Sequence, residues 1–197
     1  MIILTIVKKL NYKTMINNIF EAINYLDIDY VKTYIASGND LNFLGVNGET
    51  PFTFLCQRRN FQKHHLTEIA ILLTEAGANI NGQNKIGNTP LITCIFYDQI
   101  DILNYLIASD CDLNLANNIG NTPLHFAAIH TNNVPTKALI QQNLNPFLKN
   151  KENLNPLEFC IKNNRTVSLD ILTPYYEYHS LLNSCTSPTK VSKKIKL

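Results

Sequence analysis

"IGNTPLHFAAIH" occupies residues 119–130, and a close copy, "IGNTPLITCIFY", occupies residues 86–97. Two such openings in one chain mark a repeated unit. The Thr-Pro pair at their centre occurs three times, as Thr50-Pro51, Thr89-Pro90 and Thr122-Pro123, and Asn155-Pro156 keeps the proline. The steps from Thr89 to Thr122 and from Thr122 to Asn155 are equal, and the step from Thr50 to Thr89 is longer. A second marker runs in the same register: "IASGNDLN" at 35–42, "TEAGANIN" at 74–81 and "IASDCDLN" at 107–114 repeat the long step and then the short one.

The residue types at these places have local reasons. Threonine suits a helix N-cap, where its hydroxyl accepts an orphan N–H of the first turn. Proline suits the first helical position, since it has no N–H to leave unpaired and its φ is already helical. Asn155-Pro156-Leu157-Glu158 reads as a capping-box variant, with Glu158 reaching back to the cap N–H. Gly48, Gly87 and Gly120 stand two residues before each Thr-Pro, in a tight turn that needs a positive φ, and Asn153 takes that place in the last unit. Gly38 and Gly77 end the second helices, with Asp110 and Asn143 in that role elsewhere.

The period together with "GNTPLHFAA" (120–128) and "EAGANIN" (75–81) resembles the ankyrin repeat, over about residues 15–173. A repeat of that family spans about 33 residues, and the step from Thr89 to Thr122 matches it. The resemblance implies an all-α solenoid of stacked helix–turn–helix units joined by short β-hairpin loops. Five repeats are expected, near 15–46, 46–84, 85–117, 118–150 and 151–174. The first lacks Thr-Pro and reads as an N-terminal cap. Residues 1–14 read as a leader of doubtful status, with Met15 an alternative start; residues 175–186 suggest a capping helix, and 187–197 a basic disordered tail. The family's two alanines on the first helix are kept as Ala127 and Ala128, whereas Cys56, Cys94 and Cys160 stand at such places in other repeats and are expected to be buried.

Composition fits. Of 197 residues, 45% are hydrophobic and 16% charged, which describes a folding sequence rather than a disordered one. A net charge of +2 is too mild for a nucleic-acid stripe, so no nucleic-acid partner is expected. The five cysteines are scattered, with no Cys-x-x-Cys, against a disulfide framework or a structural zinc site. The apolar start "MIILTIV" is far short of a membrane span. The chain reads as a soluble intracellular monomer, cytoplasmic unless a pathogen delivers it to a host cytoplasm or nucleus. Asparagine is abundant, most visibly in turns, in part as a reflection of codon bias.

No enzyme is expected, nor any cofactor or metal. His125 matches the histidine of the family's Thr-Pro-Leu-His motif, which implies a structural tie between adjacent hairpins; catalysis would need a nucleophile or carboxylate set against it, and none stands nearby. His130 lies five residues on, on another side of the helix, so the two cannot share a metal. Thr50, Pro51, Gly87, Thr89, Pro90, Gly120, Thr122, Pro123, His125 and Pro156 are therefore read as structural.

Ankyrin domains usually bind proteins through hairpin tips and the exposed side of the first helices. Transferred to this sequence, that implies a partner-binding surface with Ile86, Asn88, Phe96, Tyr97, Ile119, Asn121, Ile129 and His130 at its centre and Arg58 and Arg59 at its rim. Two alternatives stay open: Ile86 and Ile119 pack hairpin on hairpin instead, and the basic insertion "CQRRNFQKHHL" (56–66) is either a solvated loop or a contact for an acidic partner. The function implied is protein–protein interaction, as an adaptor or a competitive inhibitor. Alternatives are a substrate-recognition adaptor of a ubiquitin ligase, whose recruiting helix only residues 175–186 offer, or a pathogen or viral effector mimicking a host ankyrin inhibitor such as the NF-κB inhibitor.

Overall fold

A proline at the first helical position and a cap before it set where a helix begins, and the first helices of repeats two to five begin there. The computed structural model describes residues 18–58, 63–142 and 144–186. Among them are ten helices and no strand: α1 (Ile19–Tyr25), α2 (Ile28–Ala36), α3 (Pro51–Cys56), α4 (Lys63–Glu75), α5 (Pro90–Tyr97), α6 (Ile100–Ala108), α7 (Pro123–Ala128), α8 (Val134–Ile140), α9 (Pro156–Lys162) and α10 (Leu169–Thr186). The caps differ in chemistry. Thr53 N–H donates to Thr50 Oγ1 at 3.0 Å, and Ile92 N–H to Thr89 Oγ1 at 3.2 Å. Asn155 and Glu158 close a reciprocal box, with bonds of 2.8 and 2.9 Å. At Thr122 the expected hydroxyl cap is replaced: Thr122 Oγ1 lies 2.8 Å from His125 Nδ1, so the histidine side chain takes up the hydroxyl.

Consecutive helices pair antiparallel, and the pairs stack. First helices α1, α3, α5, α7 and α9 form one layer, each against the next, and second helices α2, α4, α6, α8 and α10 form the other. Short helices of six to nine residues are unstable alone. Burial between the layers holds them: Phe52, Leu55, Ile69, Leu73, Leu91, Ile95, Leu103, Leu106, Leu124 and Leu139 are removed from water. Cys56, Cys94 and Cys160 are fully buried with Ala127 and Ala128, where only a small residue leaves room for a close helix approach. Burial pushes the Cys94 thiol well up, with Cys56 beside it adding to the shift, and raises Cys160 as well.

Between helix pairs the chain turns through a tight hairpin closed by a backbone bond from Gly45 N–H to Glu49 O, Asn84 to Asn88, Asn117 to Asn121 and Asn150 to Leu154, at 2.9–3.0 Å, with a second bond inside each turn, as from Gly87 N–H to Asn84 O at 2.8 Å. The hairpins are bonded to each other through Lys85 N–H to Gly48 O, Asn118 N–H to Ile86 O and Lys151 N–H to Ile119 O, at 2.8, 3.1 and 3.0 Å. This closeness explains two glycines. Gly87 and Gly120 both have φ +80, and a Cβ there would lie 2.5 Å from Asn118 N or 2.9 Å from Asn150 Cα in the next hairpin. Asn153 has the same left-handed turn (φ 60), but it belongs to the last hairpin, and a side chain is accommodated.

The abundant asparagine has a structural account that codon bias does not supply. Asn84, Asn117 and Asn150, one to each successive repeat, accept two N–H groups of their own hairpin on Oδ1. Each donates Nδ2 to the preceding hairpin: Asn84 to Glu49, Asn117 to Asn88 Oδ1 and Asn150 to Asn121 Oδ1, at 2.8–3.2 Å. A second ladder runs along the other loops, where Asn42, Asn81 and Asn114 accept the N–H of Asn79, Asp112 and Asn145 in the following repeat at 2.7–2.9 Å.

α1 starts at Ile19 behind the cap Asn18, whose side chain accepts the Glu21 N–H; the expected start at Met15 lies outside the described residues, as do the leader 1–14, Asn143 and the tail 187–197. At the other end α10 runs through Pro174 for 18 residues, one continuous helix over both the expected end of the fifth repeat and the expected capping helix. Proline removes one helical bond. The helix continues because Leu172 and Tyr176, one turn apart on either side of Pro174, are both buried, and the Tyr176 hydroxyl donates to Pro146 O.

Candidate functional site: the hairpin-tip and first-helix face

The solenoid fixes each first helix beside its own hairpin, so tip and helix positions share one face. The fifth repeat shows their reach: Lys162 at the end of α9 bonds Glu152 at the hairpin tip at 3.1 Å. Counting from the Thr-Pro registers, the tip position is Asn47, Ile86, Ile119 and Glu152 in repeats two to five. The helix position, in the same register after the proline, is Gln57, Phe96, Ile129 and Lys162.

In the central repeats both positions are apolar and outward. Ile86, Phe96 and Ile119 are 52%, 59% and 58% exposed, and Ile129 is half-buried. The backbone carbonyls of Ile86 and Ile119 accept the bonds from the next hairpin, while their side chains stand in solvent. The Phe96 ring meets Tyr97 edge-on at 5.1 Å and Phe126 at 6.5 Å, which limits its rotamers without covering it. Tyr97 is half-buried. His130 is half-buried too, its Nε2 3.9 Å from Asp98 Oδ1, and Asn132 Nδ2 bonds that same oxygen at 3.4 Å.

Other expected contact residues are engaged inside the protein. Asn121 is 5% exposed and its Oδ1 holds the Asn150 rung, so it is not on the surface. Asn88 is half-buried and accepts from Asn117. Arg58 is half-buried: its guanidinium lies 4.1 Å over the Phe54 ring, bonds Asn24 Oδ1 at 2.9 Å, and has its pKa lowered by burial, against the opposing effect of Tyr97 and Glu49. Its carbonyl accepts Gln99 Nε2 at 2.7 Å. Arg59 lies outside the described residues. Sequence reasoning missed the α1 members of this face, Phe20, Glu21 and Asn24, because repeat one has no Thr-Pro pair to set its register.

His125 is fully buried within the stack. Its Nδ1 accepts the Thr122 N–H at 3.1 Å, so the proton is on Nε2, which donates to Leu154 O in the next hairpin at 2.9 Å. Burial lowers its pKa, the Leu154 bond opposing. A neutral imidazole with both nitrogens used links two repeats; it has neither access to a substrate nor a carboxylate partner. Among the described residues no group of three or more His, Cys, Asp or Glu is placed to hold a metal ion, and no helix is long and apolar enough to cross a membrane.

A family model of ankyrin repeats in three copies matches residues 19–117, and a second model, of the single ankyrin repeat, matches residues 119–151. None of the curated proteins compared matches the chain.

Proposed function

The chain belongs to the ankyrin-repeat family of protein-interaction modules, and on that premise we propose that it acts as an adaptor or competitive inhibitor, holding a partner protein on the hairpin-tip and first-helix face. One observation carries this reading. At two independent registers the central repeats are apolar and at least partly exposed (Ile86 and Phe96, then Ile119 and Ile129), while the flanking repeats are polar at both (Asn47 and Gln57, then Glu152 and Lys162). The flanking repeats fold on the same plan, so the scaffold does not demand the apolar residues. An apolar, aromatic-bearing centre with a polar rim is the composition of a protein-binding hot spot.

The test is affinity purification from the native cell with the wild-type chain and an Ile86→Ser, Phe96→Ser, Ile119→Ser variant. The variant is expected to keep the helical circular dichroism and melting profile and to lose its partners by more than about tenfold, the effect of removing one or two hot-spot side chains. Undiminished recovery of the same partners by the folded variant overturns the proposal.

A further inference from the structure

The chain holds two Asn-Gly pairs, Asn47-Gly48 at the hairpin tip of the second repeat and Asn81-Gly82 in the loop after α4. Asparagine is a chemically labile side chain. A glycine after it has no Cβ, so its backbone nitrogen can approach the side-chain amide.

The hairpin around Asn47 has fewer internal hydrogen bonds than the other three. Gly45 stands in it at the register of Asn84, Asn117 and Asn150. Each of those asparagines accepts two N–H groups of its own hairpin. Gly45 has no side chain to accept the equivalent groups, those of Asn47 and Glu49. An asparagine there would have to displace Phe20, since a Cβ would lie 2.5 Å from its ring. Within the turn remain the backbone bonds from Gly45 N–H to Glu49 O and from Gly48 N–H to Gly45 O, at 2.9 and 2.7 Å. From the next hairpin Lys85 N–H reaches Gly48 O, and Asn84 Nδ2 reaches the Glu49 carboxylate. A turn held by fewer bonds opens more often, and Asn47 is exposed at its tip.

We propose that Asn47 is a modification site, converted in the folded protein to an aspartyl or isoaspartyl residue by the Gly48 backbone nitrogen and water. In the opened turn the Gly48 nitrogen gives its proton to hydroxide and attacks Asn47 Cγ. A bond forms between them and the bond from Cγ to Nδ2 breaks. The departing nitrogen takes a proton from water and leaves as ammonia, which returns the hydroxide. Water then opens the cyclic imide, at Cγ to give aspartate or at the main-chain carbonyl carbon to give isoaspartate. One water enters and one ammonia leaves, with no oxidant or reductant.

The fold protects Asn81 from the same reaction. Its Oδ1 holds the Asp112 N–H of the next repeat at 2.8 Å, and its own N–H is held by Asn79 Oδ1 at 2.9 Å. Gly82 N–H, the nucleophile here, donates to Asn79 O at 2.9 Å. Attack on Cγ must first take the side chain out of the ladder that joins the two repeats.

The product has a place in the structure. Glu152 occupies the same tip position in the fifth repeat and is exposed, so a carboxylate is accommodated there. One rim of the face thereby gains negative charge as the molecule ages. That consequence, unlike the site itself, rests on the reading of this face as a protein-binding surface.

The experiment incubates the full chain, folded and in urea, in 18O-labelled water at mildly alkaline pH and digests it with trypsin in ordinary water. Peptides 33–58 and 64–85 carry the two asparagines separately, and heavy oxygen marks conversion that preceded digestion. Asn47 in the folded chain is expected to be marked within about tenfold of its unfolded rate, the cost of opening one or two hydrogen bonds. Asn81 is expected to be about fivefold or more slower than Asn47 in the folded chain, the factor of one further hydrogen bond, and equal to it in urea. An Asn47 that is unmarked or slower than that, an Asn81 that keeps pace with it in the folded chain, or the same preference for Asn47 in urea overturns the proposal. The reaction needs no partner, so its failure is distinct from failure of the Ile86, Phe96, Ile119 variant to lose its partners.

Discussion

In the third repeat, Ile86 and Phe96 stand in solvent at the hairpin tip and at the end of the first helix. At the same two places of the fifth repeat, Glu152 and Lys162 bond each other at 3.1 Å. Beneath the surface the two repeats agree: Pro90 and Pro156 open the helix, and Cys94 and Cys160 are fully buried. The scaffold therefore prescribes the positions that touch the next repeat and leaves the outward ones to be set by whatever binds there. The repeats differ again at the hairpin glycine. Gly87 has a following hairpin bonded against it; Asn153 belongs to the last hairpin and carries a side chain.

The largest effect is expected where that second difference is reversed. Gly120→Asn should lower stability by about 3–4 kcal/mol, from a Cβ placed against the next hairpin's backbone, whereas Asn153→Gly should stay within about 0.5 kcal/mol of wild type. Urea denaturation of both variants decides it, and equal effects would break the contrast between inner and terminal hairpins. Next is Asn150→Ala, which strands two hairpin N–H groups and the Asn121 acceptor, for about 3 kcal/mol by the cost of unsatisfied buried groups. Asn42→Ala, an exposed rung of the other ladder, should cost under about 1 kcal/mol in the same assay.

His125→Ile imports the residue that the third repeat carries at that position, Ile92. It leaves the Thr122 N–H and Leu154 O without their partner, for about 2 kcal/mol at neutral pH. The loss should shrink in acid. Burial holds the folded His125 pKa below its ordinary value, so on acidification the unfolded chain takes up that proton first. The histidine's contribution is present above the unfolded pKa, about 6.5, and fades as pH falls toward the folded one. Melts of wild type and variant at pH 7.5 and 5 should converge; a constant gap would mean that His125 is not held neutral.

The smallest effect sharpens the first contrast. Phe96→Ser should change stability by no more than about 0.5 kcal/mol, as exposed substitutions do, while Ile95→Ser, one residue away and fully buried, should cost more than about 3 kcal/mol. A large loss from Phe96→Ser in thermal melts would make its ring a structural group and remove the reason to give it to a partner.

Much of the fold was legible because its signals are local. Thr-Pro, the turn glycines and the Asn155–Glu158 box act between near neighbours in the chain, and a fixed period carries each reading from one repeat to the next. The site was legible only in part. Ile86, Phe96 and Ile119 stand outward, but Asn121 serves as a rung and Arg58 lies on Phe54, since both meet groups outside their own helix and hairpin turn that no short pattern describes. The asparagine rungs left a trace, the equal spacing of Asn84, Asn117 and Asn150, which abundance in turns concealed.

By itself, then, the sequence determined the repeat length, the start of each Thr-Pro helix and the hairpin turns, because caps, proline and positive φ are properties of a few adjacent residues. The stacked structure alone decided which asparagines cross between repeats, that His125 carries its proton on Nε2, and that α10 passes through Pro174. Those outcomes depend on side chains from different repeats, far apart in the chain, meeting at hydrogen-bond or van der Waals distance, and only packing brings them there.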